Sequence, residues 1–88
     1  MMKGYVYILQ SERNGRYYIG STNDVARRLE EHNGRQVVAT RYICPLRLVY
    51  TEEFEEIIDA RRRELQIKKW KSKKEIEKLI LGAVVSIG

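Results

Sequence analysis

Four side chains able to handle a phosphate or a proton fall within the first 32 residues: Tyr7, Tyr18, Arg28 and His32, the last being the only histidine. Two phenols on one surface can bind a phosphate or orient a water. A phenol that gives up its proton beside a cation can act as a base. A guanidinium offers a planar fork to phosphate oxygens, and an imidazole can move a proton near neutral pH. Taken singly, each has a plainer reading. Tyrosine is common in strand cores, an arginine is commonly a solvated helix edge, and a lone histidine is more often structural. Only a fold that gathers them makes a site.

The stretch 4–32, GYVYILQSERNGRYYIGSTNDVARRLEEH, reads as strand, turn, strand, helix. Residues 5–9 are aromatic and β-branched, as in a strand covered on both faces. Ser11 to Gly15 is a loop with Asn14-Gly15 as its turn signal, and Tyr17 to Gly20 is the return strand. A two-residue turn at Asn14-Gly15 pairs positions summing to 29 and sets Tyr18 opposite Ser11. A four-residue loop over Ser11 to Asn14 pairs positions summing to 25 and sets Tyr18 opposite Tyr7. Both sums are odd, so either register puts Tyr7 and Tyr18 on the same side of the sheet.

Ser21 to Asp24 supplies helix-capping side chains. A helix from Asp24 to His32 follows, ended by Asn33-Gly34, residues tolerant of the left-handed conformation. At about 100° per residue, Val25, Leu29 and His32 share one face, with Arg28 on its margin. Arg27, Glu30 and Glu31 read as solvated. Residues 35–45 read as irregular up to Pro45, Leu46 to Thr51 as a third strand, and 55–71 as a long charged helix. Ser72 caps another helix beginning near Lys73. The expected architecture is one α/β domain over residues 1–88, of the α+β kind, in the order β-β-α-β-α-α.

On the long helix, Glu64 falls among Ile57, Ala60 and Ile67, a carboxylate inside the apolar stripe. Such a carboxylate needs a counter-charge. An ion pair with Arg61 or Lys68, each about one turn away, supplies one. A bound Mg²⁺ or Mn²⁺, hard cations that need few protein oxygens, supplies another. Both readings stand. Around Glu64 runs a basic series, Arg61, Arg62, Arg63, Lys68, Lys69, Lys71, Lys73 and Lys74. It is either a solvated helix face or a patch that tracks a phosphate backbone. Trp70 reads as core, with stacking on a base as its other use.

The 88 residues carry a net charge of +5. That balance suits a polyanionic partner, although a basic protein with no such partner is equally consistent. Cys44 is the single cysteine, which excludes an internal disulfide and a cysteine metal cage, and it reads as core. Met1-Met2-Lys3 leads straight into a strand, with no signal peptide expected. The apolar tail, 79–88, is far short of the ~20 residues that span a bilayer. A monomer in the reducing cytoplasm is the expectation. No phosphate-cradling glycine loop, nucleophilic serine or cysteine constellation, or zinc cluster is apparent.

Tyr5-Val6-Tyr7, Tyr18-Ile19-Gly20, Arg28, His32 and then Glu64 within Ala60-Arg61-Arg62-Arg63-Glu64 resemble, in order and spacing, the GIY-YIG nuclease superfamily, most nearly its small single-domain branch. The resemblance runs from Tyr5 to about Leu79. It implies a three-stranded antiparallel sheet flanked by helices and metal-dependent endonucleolytic cleavage of nucleic acid, with DNA ahead of RNA. By the same resemblance Tyr7 is the water-activating tyrosine or its hydrogen-bond partner, and Tyr18 orients phosphate and water. Arg28 stabilises the transition state, His32 assists proton transfer, and Glu64 holds Mg²⁺ or Mn²⁺. Arg61, Lys68, Lys69, Lys71, Lys73 and Lys74 are the expected nucleic-acid contacts. The chain departs from the pattern in opening the first motif with Tyr5 and in lacking an asparagine after the glutamate. It also carries no separate DNA-binding domain. A nucleic-acid-binding module without catalysis, and a protein-interaction domain using the tail, are the rival readings.

Overall fold

A computed structural model describes the backbone of residues 2–85 and the side chains of residues 2–82. The elements are β1 (Gly4–Ser11), β2 (Tyr17–Thr22), α1 (Val25–Asn33), β3 (Leu46–Phe54), α2 (Ile57–Lys68) and α3 (Lys73–Val85), the order expected. The strands form one antiparallel sheet, β2-β1-β3. β1 is central and covered on both faces, and Val6, Tyr7, Ile8 and Leu9 are at most 2% exposed. Strand alternation splits these residues between two cores. Val6 and Ile8 pack with Ile19, Ala60, Ile67 and Ile76 beneath α2 and α3. Tyr7 and Leu9 pack with Cys44 and Leu46, and with the half-buried Tyr18, Val25 and Leu29, beneath α1 and the 35–45 segment. Trp70, Leu79 and Ile80 pack on the first core. Trp70 is therefore partly buried against the core, and the described start of the apolar tail folds back onto the domain. The tail side chains from residue 83 lie outside the described residues.

The hairpin takes neither expected register. Tyr7 pairs with Gly20 and Leu9 with Tyr18, so paired positions sum to 27. Ser11 is the cause. Its amide donates to the Arg16 carbonyl at 2.9 Å, which keeps it in the ladder. Its hydroxyl accepts from the amides of Arg13 and Asn14 at 3.1 and 3.2 Å, which shapes the turn. Within the turn only Gly15 takes positive φ, at 75°, whereas a tight Asn-Gly turn needs it at both central residues. Tyr7 and Tyr18 still share a face, as diagonal neighbours with ring centroids 6.5 Å apart.

Other boundaries also shift. β3 continues past Thr51 to Phe54, because an edge strand accommodates Glu52 and Glu53 that a central strand would not. α2 stops at Lys68 rather than residue 71, and Lys71 has φ of 50°. α1 is capped by Asp24, whose side chain accepts from the Arg27 amide. Its far end is a Schellman turn, with Arg35 N–H to the His32 carbonyl at 3.0 Å and Gln36 N–H to the Glu31 carbonyl at 3.0 Å. The left-handed residue there is Arg35, at φ 61°, while Gly34 stays at −79°. The glycine thus sits one position early for the role expected of it.

Gly20 faces Tyr7 across the ladder, and a Cβ at Gly20 would run into the Tyr7 hydroxyl and ring. The bare backbone of Gly20 is what lets the phenol lean toward the outer edge of β2. Gly20→Ala is expected to displace the Tyr7 ring at a cost of roughly 1–3 kcal/mol, as for other overpacked core positions. Urea denaturation reads the cost, and the Tyr7 ring resonances read the displacement. An unchanged midpoint with unchanged ring shifts contradicts the assignment.

Candidate active site

The Tyr7 phenol ends between two groups from α1. Arg28 Nε–H donates to its oxygen at 3.4 Å, and His32 Nε2 lies 3.0 Å from it. The other ring nitrogen, Nδ1, lies 2.7 Å from Thr40 Oγ1. The tautomer that pairs every group of this buried chain has the phenol O–H donating to Nε2 and Nδ1–H donating to Thr40. Tyr18 closes the cluster from the side, its ring edge-on to His32 at 4.9 Å. Arg28 Nη1 is held by Glu31 Oε1 at 2.9 Å, the pair about one-third exposed.

Burial sets the proton affinities here. It pushes the Tyr7 phenol above its ordinary value, and the opposing hydrogen bond from Arg28 is the weaker effect. The phenol therefore keeps its proton at neutral pH, contrary to the idea of a tyrosine ionised by its cation. His32 has no exposed surface. Burial first, and the Arg28 charge second, lower it from 6.5 to about 4, with Glu31 opposing. It does not titrate near neutrality, as its type alone suggested. It is a neutral acceptor there.

Glu64 approaches from the other face of the sheet. Its Oε1 accepts from Ser21 Oγ at 2.5 Å, and its Oε2 pairs with Lys68 Nζ at 2.5 Å. The ion pair weighed above thus forms, with Lys68 and not Arg61. The Glu64 charge weakly raises the Tyr7 phenol, the least of the influences on that group. Among the described residues no three His, Cys, Asp or Glu side chains converge. A divalent cation at Glu64 would rest on one carboxylate and the neighbouring Ser21 hydroxyl. That oxygen set suits Mg²⁺, which keeps most of its waters.

The basic residues divide. Arg61 joins Arg27, Arg28 and Ser21 around a hollow of about 330 Å³ between α1 and α2. Lys68, Lys71 and Lys73 line a second hollow of about 410 Å³ against β2. Lys69 and Lys74 are exposed and line neither. Arg63 is committed to Glu52 at 3.1 Å and lies over Trp70. Arg62 faces Asp59 at 3.7 Å.

Three contributors escape a reading of the sequence. Ser21 reads as a helix cap, but its hydroxyl belongs to Glu64, 43 positions on. Thr40 lies in a segment with no periodicity. Glu31 reads as solvated, although its spacing of three from Arg28 was a usable signal for the pair.

Residues 3–78 match the GIY-YIG catalytic domain. The chain belongs to the GIY-YIG family. Among its relatives is a UPF0213 protein of Halobacterium salinarum, 43% identical over 65 residues, 73% of this chain and 83% of the other. A UPF0213 protein of Staphylococcus saprophyticus is 32% identical over 83 residues, 93% of this chain and 100% of the other. The solution NMR structure of a UPF0213 protein from Bacillus halodurans shares the fold with a TM-score of 0.57 at 39% identity. That likeness covers 90% of this chain and 83% of the other. The GIY-YIG membership supports a nuclease-like function. No helix among the described residues is long and apolar enough to cross a membrane.

The depressed His32 value links stability to pH. Its proton binds more readily in the unfolded chain, so its contribution is full above about 6.5 and is lost as pH falls toward about 4. The melting temperature is expected to decline across that window. His32→Asn, which has no titrating ring, should decline less steeply over the same window. Parallel slopes for the two proteins contradict a buried neutral imidazole.

Proposed function

We propose that this GIY-YIG protein is a divalent-metal-dependent endonuclease hydrolysing phosphodiester bonds in nucleic acid, DNA ahead of RNA. The observation that carries the reading is the Tyr7 hydroxyl held between Arg28 and a neutral His32. A water beside the phenol gives its proton to the Tyr7 oxygen as the phenol's own proton passes to His32 Nε2. Tyr7 ends the step a neutral phenol, and His32 an imidazolium. Thr40 fixes the ring so that Nε2, not Nδ1, faces the phenol. Arg28 uses one N–H on Tyr7 and another on Glu31, which leaves further N–H groups to stabilise charge growing on the phosphate. Tyr18 orients phosphate and water from the same face. Glu64 and Ser21 are the residues that would hold Mg²⁺ or Mn²⁺, which as a Lewis acid supplies charge stabilisation at the phosphate and leaving oxygen. Arg61, Lys68, Lys69, Lys71, Lys73 and Lys74 meet the flanking phosphates.

The decisive experiment is cleavage of DNA and RNA in Mg²⁺, Mn²⁺ or EDTA by wild type and by Glu64→Gln. The variant keeps the shape and the Ser21 contact and removes the charge. Its cleavage is expected to fall at least ~10²-fold, since metal charge stabilisation is worth several kcal/mol. Its binding should hold or tighten, because a negative charge leaves a basic surface. A melt on the same preparation separates chemistry from folding. A destabilised Glu64→Gln protein with full activity per folded molecule shows Glu64 to be only the partner of Lys68. Salt-sensitive binding without cleavage in any metal shows a binding module instead.

A further inference from the structure

The hollow beside the site has a composition that phosphate tracking does not explain. It runs between β2 and the junction of α2 with α3. Its floor is apolar: Tyr17, Ile19, Ile67 and Ile76 all belong to or pack on the first core. Its rim is cationic, with Arg16, Lys68, Lys71 and Lys73, and none of its lining residues is acidic. The Lys73 ammonium stands 5.8 Å over the Tyr17 ring, a cation on an aromatic face. A bare phosphate would use the rim and leave the floor unused. A flat aromatic group carrying phosphates would use both.

The hollow also joins the reacting cluster at two points. Lys68 is at once a rim residue and the partner of Glu64. Tyr18 lines the hollow and packs on His32. A nucleotide placed here would lie across β2 from Tyr7, whose side chain is on the other face of the sheet. β2 is an edge strand, so backbone groups on its outer side are open to the edge of a base.

Building on the nuclease reading, we propose that this hollow takes the base of one nucleotide flanking the scissile phosphate, out of its stack and unpaired, against Tyr17. Lys73 leaves the ring as the base enters, and its charge moves to the nucleotide's phosphate beside Lys68 and Lys71. A volume of about 410 Å³ is of the size of a single base and its sugar. On this proposal the substrate is a strand with at least one unpaired nucleotide at the cut.

The test measures binding in EDTA, where cleavage does not interfere, by anisotropy of a short labelled single strand and of the same strand in duplex. Tyr17→Leu keeps apolar bulk and removes the stacking face, and Tyr17→Phe keeps the face. Tyr17→Leu should lose about tenfold in single-strand affinity, the size of one stacked base, with duplex affinity unchanged. Tyr17→Phe should match wild type. Amide shifts on adding the single strand should cluster at Tyr17, Ile19 and Ile76. A Tyr17→Leu protein that binds both forms like wild type, or loses both equally, overturns the subsite and leaves the nuclease reading intact. A wild type that binds neither form at low salt overturns both. Circular dichroism melts confirm that each variant is folded.

Discussion

A hydroxyl buried in the middle of a central strand must be hydrogen-bonded, because leaving it unpaired costs roughly 1–3 kcal/mol. Tyr7 is 2% exposed and lies where the backbone ladder offers its phenol nothing. Its partners must come from another element. α1 supplies them one turn apart, Arg28 and His32, so the angle at which α1 crosses the sheet is fixed by a polar requirement as much as by Val25 and Leu29. The Asp24 cap and the Schellman end set where that helix starts and stops. The imidazole in turn needs Thr40, and this ties down a segment with no regular structure of its own. Cys44 adds to the same knot, its thiol donating to the His32 carbonyl at 3.0 Å. Satisfying one phenol thus couples β1, β2, α1 and the 35–45 segment.

Much of this was legible in the residues, and the reason is periodicity. The two-residue repeat of a strand put Tyr7 and Tyr18 on one face in either register considered, and the pairing that forms keeps that parity. The helical repeat put His32 inside, Arg28 at the margin and Glu64 within an apolar stripe. What periodicity does not carry was missed. The register depends on which groups Ser11 bonds in the turn. The left-handed residue that ends α1 is Arg35, and the neighbouring glycine gave the opposite hint. Ser21 and Thr40 act through contacts distant in sequence, and His32's proton affinity depends on burial that only the packed core supplies.

On the nuclease reading the site lies at the edge of β2, where the two faces of the sheet can meet. Glu64 descends from α2 on the face of Val6 and Ile8, and Tyr7 rises from the opposite face. A three-stranded sheet has little depth at its margin. Ser21, whose side chain faces α2, carries the contact to Glu64 from the strand itself, one residue beyond Gly20. The glycine lets the phenol out and the serine brings the carboxylate in. An exposed edge strand invites pairing with other chains. Here the edge is short, and Arg16, Lys68, Lys71 and Lys73 flank it, which discourages a second positively charged copy from pairing there.

The charge pattern also bears on how a base survives among cations. A histidine beside an arginine, buried in a protein of net charge +5, holds its proton poorly, and His32 stays neutral down to about 4. Such a ring is always in the accepting form but is a weak acceptor. Phosphate changes that balance. On the nuclease reading, an anion drawn to Arg28 and Arg61 offsets the charge that depresses His32, so the ring's proton affinity rises when the substrate is in place. Burial, with the Arg28 charge second, keeps the imidazole unprotonated while the site waits. The substrate itself makes the imidazolium tolerable at the moment a proton has to be received. Glu31 serves the same end from the other side of Arg28, holding the guanidinium and slightly raising the affinity of the ring. Removing its charge would leave Arg28 freer to move and His32 harder to protonate, so a residue that reads as plain surface helps to set both the geometry and the proton balance of the site.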